Sequence, residues 1–405
     1  MKSIELFAGA GGLGLGITLA GFEHLAVVEW DKWACDTVRE NQQRGYPLVA
    51  SWNLAQMDVR EFDYSSIPEG LDLVAGGPPC QPFSISGKHR AYDDERDMFP
   101  VVADVIRRVK PRAFIIENVK GLTRSTFANY FQYILLQLEF PEVNKSSFED
   151  WRSHYHRLQA EKTSGRLHAG GYLAYNVVPT LLNAANYGIP QRRERVFIVG
   201  FRDDLGVKWS YPVETHSLDA LLFQQGITGE YWDRHQIAGE ARPPFDMALL
   251  PRLERLRRNG RPLLGLPWRT VRDALVGLPD PVTNNGTVPI NHRYQPGARR
   301  YPGHTGSPMD LPAKTLKAGD HGVPGGENMV VMDSGEVRYF TVRESARLQT
   351  FPDGYVFHGS WTETMRQLGN AVPVGLAQVV ASSVAEKLVQ SEMESLIEQY
   401  QGATF

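Results

Sequence analysis

The sequence predicts an α/β fold: a parallel sheet covered by helices on both faces, with a second, irregular domain inserted before its last elements. Three observations predict it. Over the first two hundred residues, short apolar runs alternate with helical patterns. From Asp203 to about Gly335 the chain turns rich in Pro, Gly, Arg and Trp, with weak periodicity. From Tyr339 the regular pattern returns. The regular domain is therefore expected at 1–201 and 336–405, and the inserted domain at 202–335.

The elements follow in order. Ser3–Phe7 reads as a strand, Leu13–Ala20 as a helix and Leu25–Glu29 as a second strand. Leu71–Ala75, Ala113–Glu117 and Arg195–Gly200 read as further strands. The polar stretch Glu142–Gly171 reads as a surface insertion with one helix around Phe148–Ala160, and Pro373–Tyr400 as a long amphipathic helix. No internal repeat or low-complexity tail appears. With the first motif at Met1, no N-terminal regulatory domain is expected.

The chain's 405 residues fit one large domain plus a smaller one. Hydrophobic residues make up 42% and charged residues 22%, which excludes a disordered chain. The net charge of -3 gives no global signature of nucleic-acid binding, so any such contact must come from a local patch. Two distant cysteines, Cys35 and Cys80, make no disulfide framework, and a reducing cytoplasm is expected. The apolar N-terminus is broken by Glu5 and dense in glycine, unlike a signal peptide. No run of about 18 apolar residues is present, so no membrane span is expected.

Several loops carry chemistry. Phe7-Ala8-Gly9-Ala10-Gly11-Gly12 follows the first strand and opens a helix. Glycines there let the backbone approach a ligand, and the helix N-terminus favours polar groups. A tight turn with no ligand is the plainer reading, and the spacing departs from a strict G-x-G-x-x-G loop. Glu29 ends the second strand about 20 residues on, where an acid commonly takes ribose hydroxyls; it could equally cap a helix. Trp30 could stack on adenine or merely pack. Asp58-Val59 could reach the adenine ring.

Gly76-Gly77-Pro78-Pro79-Cys80-Gln81-Pro82-Phe83-Ser84 follows an apolar strand. Its prolines stiffen the loop and its glycines give it room, so Cys80 is held at a strand's C-terminal edge, where open parallel sheets bind ligands. A Cys in such a loop makes a poor core residue, whereas Cys35 falls in a helical stretch and reads as core filler. Ile115-Ile116-Glu117-Asn118-Val119 brings a carboxylate to the same edge, able to donate to or accept from a ring nitrogen; capping is its plainer role. Gln191-Arg192-Arg193-Glu194-Arg195 precedes a strand, and alternation puts Arg193 and Arg195 on one face. Two guanidiniums there would hold a phosphate, a carboxylate or a ring carbonyl; a solvated charge run would look the same. In Gln367-Leu368-Gly369-Asn370-Ala371-Val372-Pro373, Asn370 could bond a cofactor or simply make a turn.

ELFAGAGGLG, GGPPCQPFS, ENVKG, QRRERVFIVG and QLGNAVP, in this order, together resemble the ordered motifs of the bacterial DNA (cytosine-5-)-methyltransferases of restriction–modification systems. YFTVRESARLQTFPD resembles the run before the last motif. The resemblance covers Met1–Phe201 and about Asp310–Ala385. It implies a Rossmann-like class I S-adenosylmethionine-dependent methyltransferase fold with an inserted target recognition domain. It implies sequence-specific transfer of a methyl group from S-adenosyl-L-methionine to carbon 5 of a cytosine flipped out of double-stranded DNA. Cys80 matches the nucleophile that adds to carbon 6. Glu117 matches the acid on ring nitrogen 3 and the exocyclic amine, and Arg195 the holder of the O2 carbonyl, with Arg193 supporting the pocket.

On the cofactor side the resemblance implies Phe7, Gly9, Gly11, Glu29, Trp30, Asp58, Val59, Pro79, Asn370 and Val372. Ser84, Ser86 and Arg96 match positions in a loop that closes over the flipped base and touches DNA. A cognate restriction endonuclease is a candidate partner, and a monomer is expected. No metal motif is present.

The inserted region matches a target recognition domain by position, not by sequence. Between Pro251 and Gly303 stand ten arginines (252, 255, 257, 258, 261, 269, 272, 293, 299, 300) against three acids, Glu254, Asp273 and Asp280, a local balance of +7. Pro312-Ala313-Lys314-Thr315-Leu316-Lys317-Ala318 resembles the element that organises this domain. Three rival readings fit less of the sequence. A transfer-RNA cytosine-5 methyltransferase of the same fold would carry a shorter, less basic insert. A decayed DNA binder would not keep Cys80, Glu117, Arg193 and Arg195. A nicotinamide-dependent dehydrogenase would explain the glycine loop but not Cys80.

Overall fold

A computed structural model describes residues 1–79, 97–259, 265–283, 288–318 and 328–402. The chain forms two compact units. Unit 1 comprises Met1–Leu182, Glu194–Pro212 and Ala377–Phe405; unit 2 comprises Asn183–Arg193 and Val213–Leu376. Residues 336–376, expected with the regular domain, thus cluster with the inserted region.

Unit 1 runs β1 (Lys2–Leu6), α1 (Gly12–Leu19), β2 (Glu23–Glu29), α2 (Lys32–Gln43), β3 (Leu54–Gln56), β4 (Leu73–Gly76), α3 (Phe99–Val109), β5 (Ala113–Val119), α4 (Ala128–Glu139), α5 (Trp151–Thr163), α6 (Arg166–Ala169), β6 (Tyr175–Asn183) and β7 (Glu194–Arg202). The seven strands form one sheet in the order β3-β2-β1-β4-β5-β7-β6. The strands read from the apolar runs are found, and α5 is the helix expected in the polar insertion. Near-continuous apolar strands such as Ala113-Phe114-Ile115-Ile116 are buried on both faces, as a sheet covered by helices demands.

The sheet is not wholly parallel, which corrects the expectation. β1 through β5 pair parallel, but β7 runs antiparallel to β5. Alternating hydrophobicity reports a strand, not its direction. The reversal matters for position: an antiparallel strand begins where its parallel neighbour ends. Arg195, near the start of β7, is thereby paired with Val119, the last residue of β5.

In unit 2, short elements replace long ones: β8 (His216–Ser217), α7 (Leu218–Phe223), α8 (Glu230–Arg234), α9 (Leu250–Asn259), β9 (Leu266–Pro267), α10 (Val271–Leu275), β10 (Ser307–Pro308), β11 (Met329–Val331), β12 (Val337–Tyr339), α11 (Val342–Leu348) and α12 (Trp361–Asn370). Side chains hold this irregular chain together. Thr270 with Asp273, and Thr341 with Glu344, form capping boxes, and Arg338 pairs with buried Glu344 at 2.6 Å.

The last helix, α13 (Val374–Gly402), matches the long helix expected. By length and composition alone, the helical stretch Trp361–Gln399 is apolar enough to cross a membrane, which the sequence reading did not anticipate. Its apolar face is a core face: Val380, Ala381, Val384 and Leu388 are fully buried.

Candidate active site

From β1 the chain moves outward to β2 and β3, then returns to continue through β4 and β5 on the other side of β1. The switch point of the sheet therefore lies between β1 and β4, and the crevice outside their C-terminal ends is where such sheets bind ligands. Two segments flank it: the glycine turn after β1 and the Gly76–Pro79 loop after β4.

The turn is built from left-handed residues. Phe7 has φ 56°, Gly9 φ 56° and Gly11 φ 88°. Phe7 is the costly one, since a bulky side chain disfavours this region. A Cβ at Gly9 would meet nothing within 4 Å, so the space beside it is open. Glu29 locks the turn to β2: its Oε2 accepts from the Gly9 amide at 2.7 Å, and its Oε1 from Trp30 and Asp31 at 2.8 and 2.7 Å. Burial raises the Glu29 pKa, and the three amides oppose the rise. A carboxylate offers about four acceptor sites; three are taken, which leaves one for a hydroxyl. The Trp30 ring stands 71% exposed beside it.

Asp58 follows β3, but its carboxylate is bonded to Arg60 at 2.9 and 2.6 Å, which holds its pKa below the ordinary range. Val59 is buried and its carbonyl accepts from Tyr64 at 2.8 Å. Cys35 is buried, its thiol pushed up to about 12 by burial, and is inert filler as expected.

On the other flank, glycine is required by space. A Cβ at Gly76 would sit 2.9 Å from the Leu6 carbonyl, and one at Gly77 3.3 Å from Glu117 Oε2. Asn118 Nδ2 donates to the Pro78 carbonyl at 3.1 Å and so fixes the backbone that leads into exposed Pro79. The Asn after Glu117 carried that signal in the sequence, although no role was read from it. Cys80, Ser84, Ser86 and Arg96 lie outside the described residues. Glu117 Oε1 meets Arg195 Nε at 2.9 Å, with both side chains about a tenth exposed. The acid and guanidinium expected to handle a ring thus meet at the edge where the Gly76–Pro79 loop departs.

Arg193 does not share the surroundings of Arg195, contrary to what strand alternation led us to expect. It is fully buried in unit 2, where its guanidinium donates to the carbonyls of Leu316 (3.0 Å), Gly369 (2.7 Å) and Ala371 (2.8 Å). The last two carbonyls flank exposed Asn370 and precede buried Val372. The residue before a strand escapes the strand's alternation, so Arg193 need not share the face of Arg195. Gln191 assists by accepting from the Leu316 amide at 3.1 Å, and Gln349 donates to the Leu368 carbonyl at 2.7 Å. A Cβ at Gly369 would overlap the Lys317–Ala318 backbone.

The arginine-rich stretch also changes meaning. Arg252 and Arg255 pair with Asp219, Arg257 donates to the Gly226 carbonyl at 3.2 Å, and Arg272 binds Asp310 and Asp333. A count within a sequence window missed acids that folding brings in from outside it. Among the described residues, no group of three or more His, Cys, Asp or Glu is arranged to hold a metal.

The family model for C-5 cytosine-specific DNA methylase matches residues 1–142 and 151–386. Curated relatives include the Type II methyltransferases M.NgoMIV and M.NgoFVII of Neisseria gonorrhoeae. The first is 29% identical over 95% of this chain and 97% of its own length, the second 30% over 92% and 83%. Among solved structures, an E. coli prophage protein described as a DNA modification methyltransferase superposes with a TM-score of 0.56 at 20% identity, covering 96% of this chain and 99% of that one. S. pombe Dnmt2 superposes at 0.53 and 17%, with the same coverage. At these identities the superpositions speak for the fold alone.

Proposed function

Because the chain belongs to the C-5 cytosine-specific DNA methylase family, we propose that it methylates carbon 5 of a flipped-out cytosine within a specific DNA sequence, through a covalent adduct at Cys80. The observation that carries the residue assignment is the Glu117–Arg195 pair, 2.9 Å apart and set against Gly77, three residues before Cys80.

S-adenosyl-L-methionine, when bound, supplies an electrophilic methyl group on a sulfonium. The open space beside Gly9, the remaining acceptor site of Glu29 and the exposed Trp30 ring fit its adenosine. Phe7, Gly11, Val59, Pro79, Asn370 and Val372 complete the assignment by resemblance. Asp58 would serve only after release from Arg60.

The chain's own residues do the rest. The Cys80 thiolate bonds to carbon 6 and pushes the ring's electron pair toward carbon 5. Glu117 bonds ring nitrogen 3 and the exocyclic amine, and Arg195 the O2 carbonyl, where the added electron density collects. Carbon 5 takes the methyl group as the sulfonium–methyl bond breaks and leaves a neutral thioether, then loses its proton to a base as the Cys80 sulfur–carbon 6 bond breaks and the thiolate returns. Arg193 takes no part at the ring; it holds the main chain around Asn370. A restriction endonuclease of the same sequence is the partner we infer, from relatives that are Type II methyltransferases.

Base-resolution bisulfite sequencing of DNA from a methylation-free bacterial host tests this reading. Methylation at one short motif, lost in Cys80→Ala, is the expected result. Well-folded wild-type protein that leaves DNA unmethylated overturns it, and transfer RNA becomes the acceptor to test.

A further inference from the structure

From Pro281 to Met309 the chain carries no Asp or Glu, yet holds Arg293, Arg299 and Arg300 with Tyr294 and Tyr301 beside them. Both ends of the segment 293–306 are pinned. At one end Asn291 exchanges hydrogen bonds with the Phe357 main chain at 3.0 and 2.8 Å. The adjacent buried His292 bonds Thr341 and the Pro279 carbonyl at 2.8 and 2.7 Å. At the other, buried Ser307 enters β10 and its hydroxyl accepts from the Lys314 amide at 3.0 Å. Between the pins the Tyr301 and His304 rings pack at 4.4 Å over a tight turn.

The three arginines are exposed, and the tyrosines are 45% and 44% exposed. Among the described residues, none of Arg293, Arg299 and Arg300 makes an ion pair, whereas Arg252, Arg255 and Arg272 in the same basic stretch all do. A pinned, acid-free segment whose three arginines stay open, while Arg252, Arg255 and Arg272 are paired, offers an anion-binding surface. Its rigid base lowers the ordering cost of contact.

We propose that the loop 293–306 is the surface through which unit 2 holds the phosphate backbone of duplex DNA. The inference rests on the DNA-methylating reading above and deepens it. Each guanidinium placed on a phosphate releases a counterion, so its removal lowers affinity and flattens the salt dependence.

The test is fluorescence anisotropy on a methylatable duplex across a salt series, using the full chain. R299A/R300A should weaken binding by about tenfold or more and lower the salt slope by about 2. R299K/R300K, which keeps the charge, should bind within about threefold of wild type. R252A/R255A, whose arginines are paired to Asp219, should bind as wild type does. Retained S-adenosylmethionine affinity, read by calorimetry, reports a folded chain. Alanine variants within twofold of wild type overturn the proposal. So does a lysine pair as weak as the alanine pair, since charge would then not hold the duplex. A wild-type chain with no DNA affinity overturns the underlying reading instead.

Discussion

Arg193 and Arg195 stand two residues apart, and the fold gives them opposite work. Arg195, on the seventh strand of the sheet, meets the Glu117 carboxylate and the Glu194 carbonyl at a strand edge that opens on a crevice. Arg193, in the other compact unit, meets three carbonyls and no solvent. A guanidinium has five donors in a fixed fork. At the crevice edge the fork holds a carboxylate at a strand end, where such sheets take ligands. Inside a packed loop cluster, the same donors replace the secondary structure that an irregular chain lacks. The difference teaches that a charge cluster in sequence has no single meaning: each guanidinium is assigned by what the fold brings to it.

The contrast can be broken from either side. Glu117→Gln keeps shape but loses the acid, and kcat/KM for methyl transfer should fall about 10²- to 10⁴-fold, with stability lowered by no more than about 1 kcal/mol. Arg193→Gln should do the reverse. Losing its fork leaves buried carbonyls without donors, each costing about 1–3 kcal/mol, so denaturant unfolding should show a loss of about 3 kcal/mol or more. A variant at 193 that melts like wild type while kcat collapses would return Arg193 to the pocket and erase the contrast. A smaller effect tests the other flank of the crevice. Glu29→Gln replaces a charge-assisted acceptor of three amides, so S-adenosylmethionine affinity should fall about tenfold. Unchanged affinity by calorimetry would remove Glu29 from the cofactor assignment.

Local signals carried far where chemistry is local. The glycine turn, Glu29 and Glu117 were legible because each depends on a strand end and the few residues after it. The direction of the seventh strand was not legible, since alternation is the same either way along the chain. The work of Arg193 was hidden because its carbonyl partners at 316, 369 and 371 lie more than a hundred residues away. The neutralisation of Arg272 by Asp310 and Asp333 was hidden for the same reason. Asn118 was the missed signal within reach: an amide beside Glu117, placed to bond the neighbouring loop.

Glu5 gives the subtlest effect, because its role shows in pH rather than in rate. In the sequence it only breaks an apolar run, yet it is fully buried beneath the glycine-rich helix α1. A Cβ at Gly14 would overlap its carboxyl, and the Trp52 ring closes the same space. Burial raises its pKa well above 4.5; the Gly14 amide opposes, and the Glu29 charge adds to the rise. In the folded chain Glu5 therefore keeps a proton that the unfolded chain gives up near pH 4.5. Its contribution to stability is full below that pH and is lost as pH rises through the folded value. The nearby buried His24 acts on the acid side: burial lowers its pKa to about 4, so its contribution is lost as pH falls from about 6.5. Melting curves of wild type and Glu5→Gln between pH 5 and 9 separate the two, because glutamine cannot titrate. The wild type should lose stability relative to the variant as pH rises across that range. Parallel curves would mean that Glu5 is already ionised in the folded chain, with its charge balanced by a group that the packing around Gly14 does not reveal.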